Sequence, residues 1–268
     1  MSSFSNDDAH LAAAYDRLSD SQFDGGKSLV GRLSLKKGEC VLDAGCGTGR
    51  LADWIAETVG ADAVVGIDPL PERIALARDR NPHIRFEVGQ AEDLSVFGSA
   101  QFDAVCMSAV FHWIGDRRKA LTETARVLRV GGRLGITTIP KELHRAGTMA
   151  AVSGPVFGRS PYRERLNMEA LPHKNDPTTT EIISLVLECG FELVELHVVQ
   201  RTRKHENATD VIDFVESSSF GNFLRLMPDE LREPLRDDLI AAFAPLKGPD
   251  GIVLKDYGML LVARRSGR

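Results

Sequence analysis

The chain has 268 residues, 43% of them hydrophobic and 26% charged, with 33 Lys and Arg against 38 Asp and Glu for a formal net charge of -5. This balance suits a globular chain long enough to bury a sizeable core, and the acidic surplus argues against a nucleic-acid or anionic-membrane partner. Four cysteines (Cys40, Cys46, Cys106 and Cys189) form no C-x-x-C pair. They read as buried free thiols in a reducing compartment, so neither a disulfide frame nor a metal site is expected. The start, MSSFSNDDAH, has no apolar core of signal-peptide length, and no run approaches a membrane span, so the expected location is cytoplasmic.

From residue 39 to 139 strand and helix patterns alternate. ECVLDAG (39–45) is a short apolar strand. Gly49 to Val59 reads as a helix with Leu51, Ile55 and Val59 on one face and Gly60 as its stop. AVVGID (63–68) is the second strand, and Pro69 and Pro71 open a helix that Asn81-Pro82 closes. IRFEV (84–88) is the third strand, followed by a short acidic helix predicted at Ala91–Leu94. FDAVCMS (102–108) is the fourth. Asp116 then caps a helix carrying Leu121, Ala125 and Leu128, which Gly131-Gly132 is expected to end before a fifth strand, RLGITTI (133–139).

Residues 140–178 break that rhythm, with glycine, proline and interleaved Phe157, Arg159, Tyr162, Arg163 and Arg165. A segment this long reads as a partly helical cap. A helix follows from Thr178 to Cys189, with Thr180 or a neighbouring threonine as N-cap. FELVELHVV (191–199) alternates as a sixth strand, and Arg201, Arg203, Lys204 and His205 after it read as a solvated strand end. Two helices (about 208–219 and 228–244) and a closing β segment (251–265) complete the chain. The expected fold is therefore α/β: a doubly wound, mostly parallel, seven-stranded sheet with helices on both faces and a helical cap inserted after strand five. It is read as one domain over 1–268, with a ligand-binding core at about 28–139 and cap segments at about 1–27, 140–178 and 205–246.

In such sheets ligands bind beyond the carboxyl ends of the strands. The loop VLDAGCGTGRL (Val41–Leu51) stands there, but it departs from the dinucleotide pattern G-x-G-x-x-G: Gly45 and Gly47 fit, whereas the third glycine position is Arg50. Asp43, at the strand end, would repel a pyrophosphate and suits a cationic ligand beside a nucleoside. The same edge collects Asp68, the loop Gly89–Asp93, and the stretch from Ser108 to Trp113. Asp43 or Asp68 alone could be a structural cap. Together, at matching strand ends, they favour a ligand.

VLDAGCGTG, VVGIDP, GQAEDL, FDAVCMS and ARVLRVGGRL occur in this order over residues 40–139. The set resembles the ordered motifs of the S-adenosylmethionine-dependent methyltransferases with a Rossmann-like sheet. SAVFHWIGD (108–116), VIDFVESSSFGNFL (211–224) and LMPDELR (226–232) are similar to the trans-aconitate and juvenile-hormone-acid methyltransferase branch. The resemblance implies S-adenosylmethionine as cofactor. Asp43 with the backbone of Gly45, Cys46 and Gly47 would hold its methionine end. Asp68, with Pro69 beside it, would take the ribose hydroxyls, Gln90, Ala91 and Glu92 would border the adenine, and Ser108 would lie under the methionine portion. Many relatives have an aspartate where this chain has Gln90, whose amide can still accept from the adenine amine.

For the acceptor, the chain reads SAVF after strand four where DNA amino methylation has N/D-P-P-Y/F, which argues against that class; there is no acidic cluster of the magnesium-dependent type, and Cys40 and Cys106 in strands with Cys189 at a helix end make a poor thiol-based arsenic site. A small organic acceptor remains, in a monomer or homodimer. His112 and Trp113 are candidates to face the transferred methyl group, His112 as donor or base. Tyr15, Arg159, Tyr162 and Arg163 are candidates to close over the acceptor, an arginine fork matching a carboxylate. The plainer reading makes His112 a helix cap and Trp113 packing. The expected reaction is O-methylation of a carboxylate, with C- or O-methylation of a phenolic or other natural-product ring as the alternative, and a non-catalytic S-adenosylmethionine-binding protein as the alternative of another class.

Overall fold

In the computed structural model, residues 19–166, 176–217 and 223–267 are described below. The elements are α1 (Asp20–Leu33), β1 (Val41–Ala44), α2 (Arg50–Val59), β2 (Val64–Asp68), α3 (Pro71–Arg80), β3 (Arg85–Val88), β4 (Phe102–Ser108), α4 (Arg117–Val127) and β5 (Leu128–Thr138). They continue as α5 (Lys141–Arg145), α6 (Thr148–Phe157), α7 (Tyr162–Arg165), α8 (Thr179–Glu188), β6 (Phe191–His205), α9 (Ala208–Ser217), α10 (Asp229–Phe243), β7 (Lys247–Gly248) and β8 (Gly251–Arg265). The strands lie in the order β3-β2-β1-β4-β5-β8-β6, and the two-residue β7 pairs with β8 off this path. β3, β2, β1, β4 and β5 are mutually parallel; β8 runs antiparallel to β5. This is the expected doubly wound sheet, with β7 as an eighth short strand.

The chain divides into two compact units. The first is drawn from residues 1–139, 177–198 and 259–268. Its central strands β1 and β2 are buried at every position, as parallel strands covered on both faces must be. α2 buries Leu51, Ala52, Ile55 and Val59 along one stripe, and Gly60 ends it at φ 100°. α1, which has no apolar periodicity around Gly25-Gly26, is nonetheless part of this core: Leu29 and Leu33 are fully buried and Gly135 of β5 lies against both. The α4 cap is as expected: the Asp116 carboxylate accepts from Lys119 N at 2.9 Å, an interaction that contributes about 0.5–2 kcal/mol to a helix. Thr178 caps α8 in a reciprocal box with Glu181.

Two predicted elements are corrected. Residues 91–94 form a turn, not a helix. Gln90 bridges Asp93 across it, and Arg126 draws the Leu94 and Phe97 carbonyls toward α4 at 2.8 and 2.9 Å, which leaves no room for a helical register. Gly131-Gly132 does not stop α4 either. The helix ends at Val127, and β5 begins at Leu128 and bulges, so that Phe102 faces Leu128 while Ala104 faces Arg133. Gly131 at φ 77° and Gly132, whose added Cβ would lie 2.8 Å from Arg129 O, are what the bulge requires.

The second unit is drawn from residues 140–176 and 199–258. Its core is a separate cluster in which Val156, Val211, Ile212, Leu235, Leu239, Phe243, Ile252 and Leu254 are buried. No helix among the described residues is long and apolar enough to cross a membrane.

Candidate functional site

The first unit gathers its chemistry where β1 and β2 end side by side, Asp43 opposite Gly66 and Ala44 opposite Ile67. After β1 the chain turns through Gly45, Gly47 and Gly49, all at positive φ. Gly45 must be glycine on a second count, because an added Cβ would overlap Val110 Cγ2. At Gly47 a Cβ would meet nothing, so the loop opens on that side. Four of the loop's amides are already in use. Gly45 N and Cys46 N both donate to Ile67 O, at 2.7 and 2.9 Å, Gly47 N donates to Asp68 Oδ2 at 3.0 Å, and Gly49 N donates to Cys46 O at 3.0 Å. A phosphate cradle needs such N–H groups pointing at the ligand. Here they are directed inward, which agrees with the departure from the dinucleotide pattern.

Two buried carboxylates remain at this edge. Asp68 accepts Gly47 N on Oδ2 and Leu70 N on Oδ1, each at 3.0 Å. Asp43 is 1% exposed, and neither of its oxygens has a hydrogen-bond partner among the described residues. Burial, with the Asp68 charge adding to it, pushes Asp43 up to about 7. An unpartnered buried carboxylate is costly. A cationic group placed beside it would remove that cost.

The other predicted residues of the first unit line the neighbouring strand ends. Gln90 is exposed, Ala91 is buried, and Glu92 accepts from Gly115 N at 3.1 Å. Ser108 ends β4 with its hydroxyl 3.4 Å from Thr137 Oγ1. Ala109 then takes the left-handed conformation, φ 57°, with its N–H on Thr137 Oγ1 at 2.9 Å. That kink leads into a 3-10 turn, Phe111–Trp113. His112 in this turn is buried, its Nδ1 lies 3.2 Å from Thr138 Oγ1, and its ring is 4.6 Å from that of Trp113. His112 does not cap α4; the Asp116 carboxylate does. Arg117 grips the turn by donating to the Phe111 and His112 carbonyls, each at 3.1 Å.

Arg159, Tyr162 and Arg163 belong to the second unit. Tyr162 is buried there, donating its hydroxyl to Asp238 Oδ2 at 2.8 Å, and burial with that hydrogen bond pushes the phenol up to about 12. Arg159 and Arg163 are exposed. Tyr15 lies outside the described residues. The thiols of Cys46 and Cys106 are buried and pushed well up by burial, so neither is a nucleophile at neutral pH. His197 on β6 is satisfied by Glu195 and Arg32.

Several residues of the site were not evident from sequence. Gly26 lets α1 pass close to β4, since an added Cβ would lie 3.0 Å from Ser108 Oγ and 2.9 Å from Leu51 Cδ2. A glycine inside a helix is the signal for such an approach. Thr137, Thr138 and Arg117, which set Ser108, Ala109 and His112, carry no local signal.

Residues 42–136 match the family described as a methyltransferase domain. An uncharacterized methyltransferase of Mycobacterium bovis is 31% identical over 219 residues, 80% of this chain and 78% of that protein. A trans-aconitate 2-methyltransferase of Agrobacterium fabrum is 24% identical over 259 residues, 95% of this chain and 98% of that one. Among solved structures, a SAM-dependent methyltransferase from Methanosarcina mazei superposes with a TM-score of 0.53 at 18% identity, over 88% of this chain and 96% of that one, which shows the shared fold. With the split glycine loop, the two strand-end carboxylates and the parallel sheet that aligns them, these likenesses identify the chain as an enzyme of the S-adenosylmethionine-dependent methyltransferase family.

Proposed function

We propose that this enzyme methylates a carboxylate oxygen of a small, partly apolar organic acid. The observation that carries the cofactor half of this reading is Asp43, a buried carboxylate with no partner among the described residues, set at a glycine loop in which the Gly45, Cys46, Gly47 and Gly49 amides are already in use. In this reading Asp43 holds the ammonium of the methionine end, and the backbone from Gly45 through Cys46 to Gly47 shapes its bed. Asp68 takes the ribose hydroxyls, with Pro69 alongside. Gln90, Ala91 and Glu92 border the adenine, and Ser108 lies under the methionine portion. When bound, S-adenosylmethionine would supply the methyl group of its sulfonium: the acceptor oxygen's lone pair would form the new C–O bond and the pair of the broken C–S bond would stay on sulfur.

What the chain adds is position, since in-line displacement depends on holding the two reacting atoms in register. His112, fixed by Thr138 and by the grip of Arg117 on its carbonyl, and Trp113, stacked beside it, present a polar and a flat apolar surface to the acceptor. In the second unit Tyr162, tied to Asp238, anchors the short helix that carries Arg163. The trans-aconitate 2-methyltransferase named above, similar over 95% of this chain, supports an acid as acceptor.

A carboxylate is already ionised at neutral pH, so no proton has to leave. His112→Asn is therefore expected to retain substantial turnover in steady-state assays with a responsive acid. A loss of about a hundredfold or more with cofactor binding intact, the scale of general-base catalysis, would overturn the carboxylate reading in favour of a phenolic or ring acceptor.

A further inference from the structure

The basic run expected as a solvated strand end turns partly inward. Arg201, Arg203 and His205 alternate along one face of β6 and are half-buried, while Gln200, Thr202 and Lys204 on the other face are exposed. All lie in the second unit. Arg203 is occupied. It is paired with the Asp256 carboxylate of β8 and lies over the Phe214 ring, 4.8 Å from its centroid. Asp256 is itself packed at Gly147, just before α6, where an added Cβ would collide with its Oδ1. Burial, reinforced by the Arg203 charge, holds the His205 imidazole below the usual histidine range, so it adds no charge at pH 7.

Arg201 has no such arrangement. Its guanidinium lies flat on Gly258, where an added Cβ would come within 3.1 Å of Cζ and 3.2 Å of Nε and Nη2. Its Nε is shut off from solvent and has no hydrogen-bond partner among the described residues. Two guanidinium groups thus share the Asp256 carboxylate, and Arg203 is the one that is paired with it. Burial and the neighbouring Arg203 both act against the Arg201 charge, and only Asp256 supports it. An inward-facing guanidinium with an unpaired Nε is expensive.

We propose that Arg201 is the recognition residue of a carboxylate-binding site in the second unit, taking a small organic carboxylate on the Nε–Nη2 edge of its guanidinium. That edge matches the two oxygens of a carboxylate in a parallel fork. The proposal does not depend on which atom the enzyme methylates, and its test omits the methyl donor, so either can fail without the other.

The full chain, labelled with 15N-arginine, is titrated with sodium succinate, with neutral succinamide and with sodium sulfate at matched ionic strength. The Arg201 Nε–H resonance, assigned by its loss in Arg201→Lys, should shift and saturate with succinate and with neither of the others. Calorimetry should show succinate affinity weakened at least about tenfold in Arg201→Lys, which keeps the charge but loses the fork, and unchanged in Thr202→Ala on the opposite face. No saturable shift with succinate, an equal response to sulfate, or full affinity in Arg201→Lys would each overturn the proposal. Should Arg201→Lys fail to fold, wild-type titration monitored through arginine Nε–H resonances decides it: a saturable change specific to succinate supports the site and its absence refutes it.

Discussion

The two units carry buried charge of opposite sign. In the first, Asp43 and Asp68 stand at the ends of adjacent parallel strands, and the nearby loop amides are donated to Ile67, Cys46 and Asp68. In the second, Arg201 and Arg203 lie on one strand face with Asp256 as their shared carboxylate. Each unit leaves a buried side-chain group without a hydrogen-bond partner among the described residues: the Asp43 carboxylate in the first and the Arg201 Nε in the second. Such a group describes a ligand in negative image. The acidic edge calls for a cation beside a nucleoside, and the basic strand face for an acid.

The largest effect that could break this contrast is expected at Asp68. Hydrogen bonds to charged groups are worth about 1.5–3 kcal/mol each, so losing two ribose contacts in Asp68→Ala should weaken S-adenosylmethionine binding by about a hundredfold or more. Calorimetry on a folded variant with unchanged affinity would remove the acidic edge from the cofactor site. Asp43 sharpens the comparison through pH. Its carboxyl sits at about 7 in the free enzyme, and a bound ammonium favours the ionised form. Affinity should therefore rise as pH increases from 5.5 to 7, by up to about tenfold per unit, and level off above. The same shift acts oppositely on the free protein. Because the folded state holds a proton that the unfolded state releases near 4, stability falls as pH rises from about 4 to about 7. Asp43→Asn should abolish both dependences, and a cofactor affinity flat with pH in the wild type would dismiss the ammonium contact. The smallest effect is expected at Tyr162. Tyr162→Phe should lower stability by about 1 kcal/mol through its lost hydrogen bond to Asp238, and leave cofactor affinity unchanged. A marked drop in that affinity would show that the second unit's core is not confined to its own unit's stability.

How much of this was legible in the sequence depended on whether the signal was local. Strands β1 to β5 read directly, because continuous apolar runs and helical periodicity alternate, and Asp43 and Asp68 followed from their places at strand ends. The turn at 91–94 did not, since its shape comes from Arg126, more than thirty residues away. The bulge of β5 was hidden because Gly131-Gly132 reads equally as a helix stop. The cap boundary expected near residue 27 cuts through α1, whose Gly26 allows close packing against Leu51 and Ser108. The inward face of β6 was in fact readable. Arg201, Arg203 and His205 alternate with Gln200, Thr202 and Lys204, but charge disguised a period of two that apolar residues would have made plain.

The inward-donated amides of the glycine loop have a consequence for molecular discrimination. Adenine nucleotides and dinucleotides share an adenine and a ribose with S-adenosylmethionine, and any site built for those parts faces them as competitors. At this loop a phosphate would find its donors spent on Ile67 O, Cys46 O and Asp68 Oδ2, and a carboxylate in front of it. Rejection is thus written into the main chain as well as the side chains. Neutralising Asp43 would lift the repulsion without supplying a single new donor, so the loop acts as a filter whose selectivity one substitution cannot reverse.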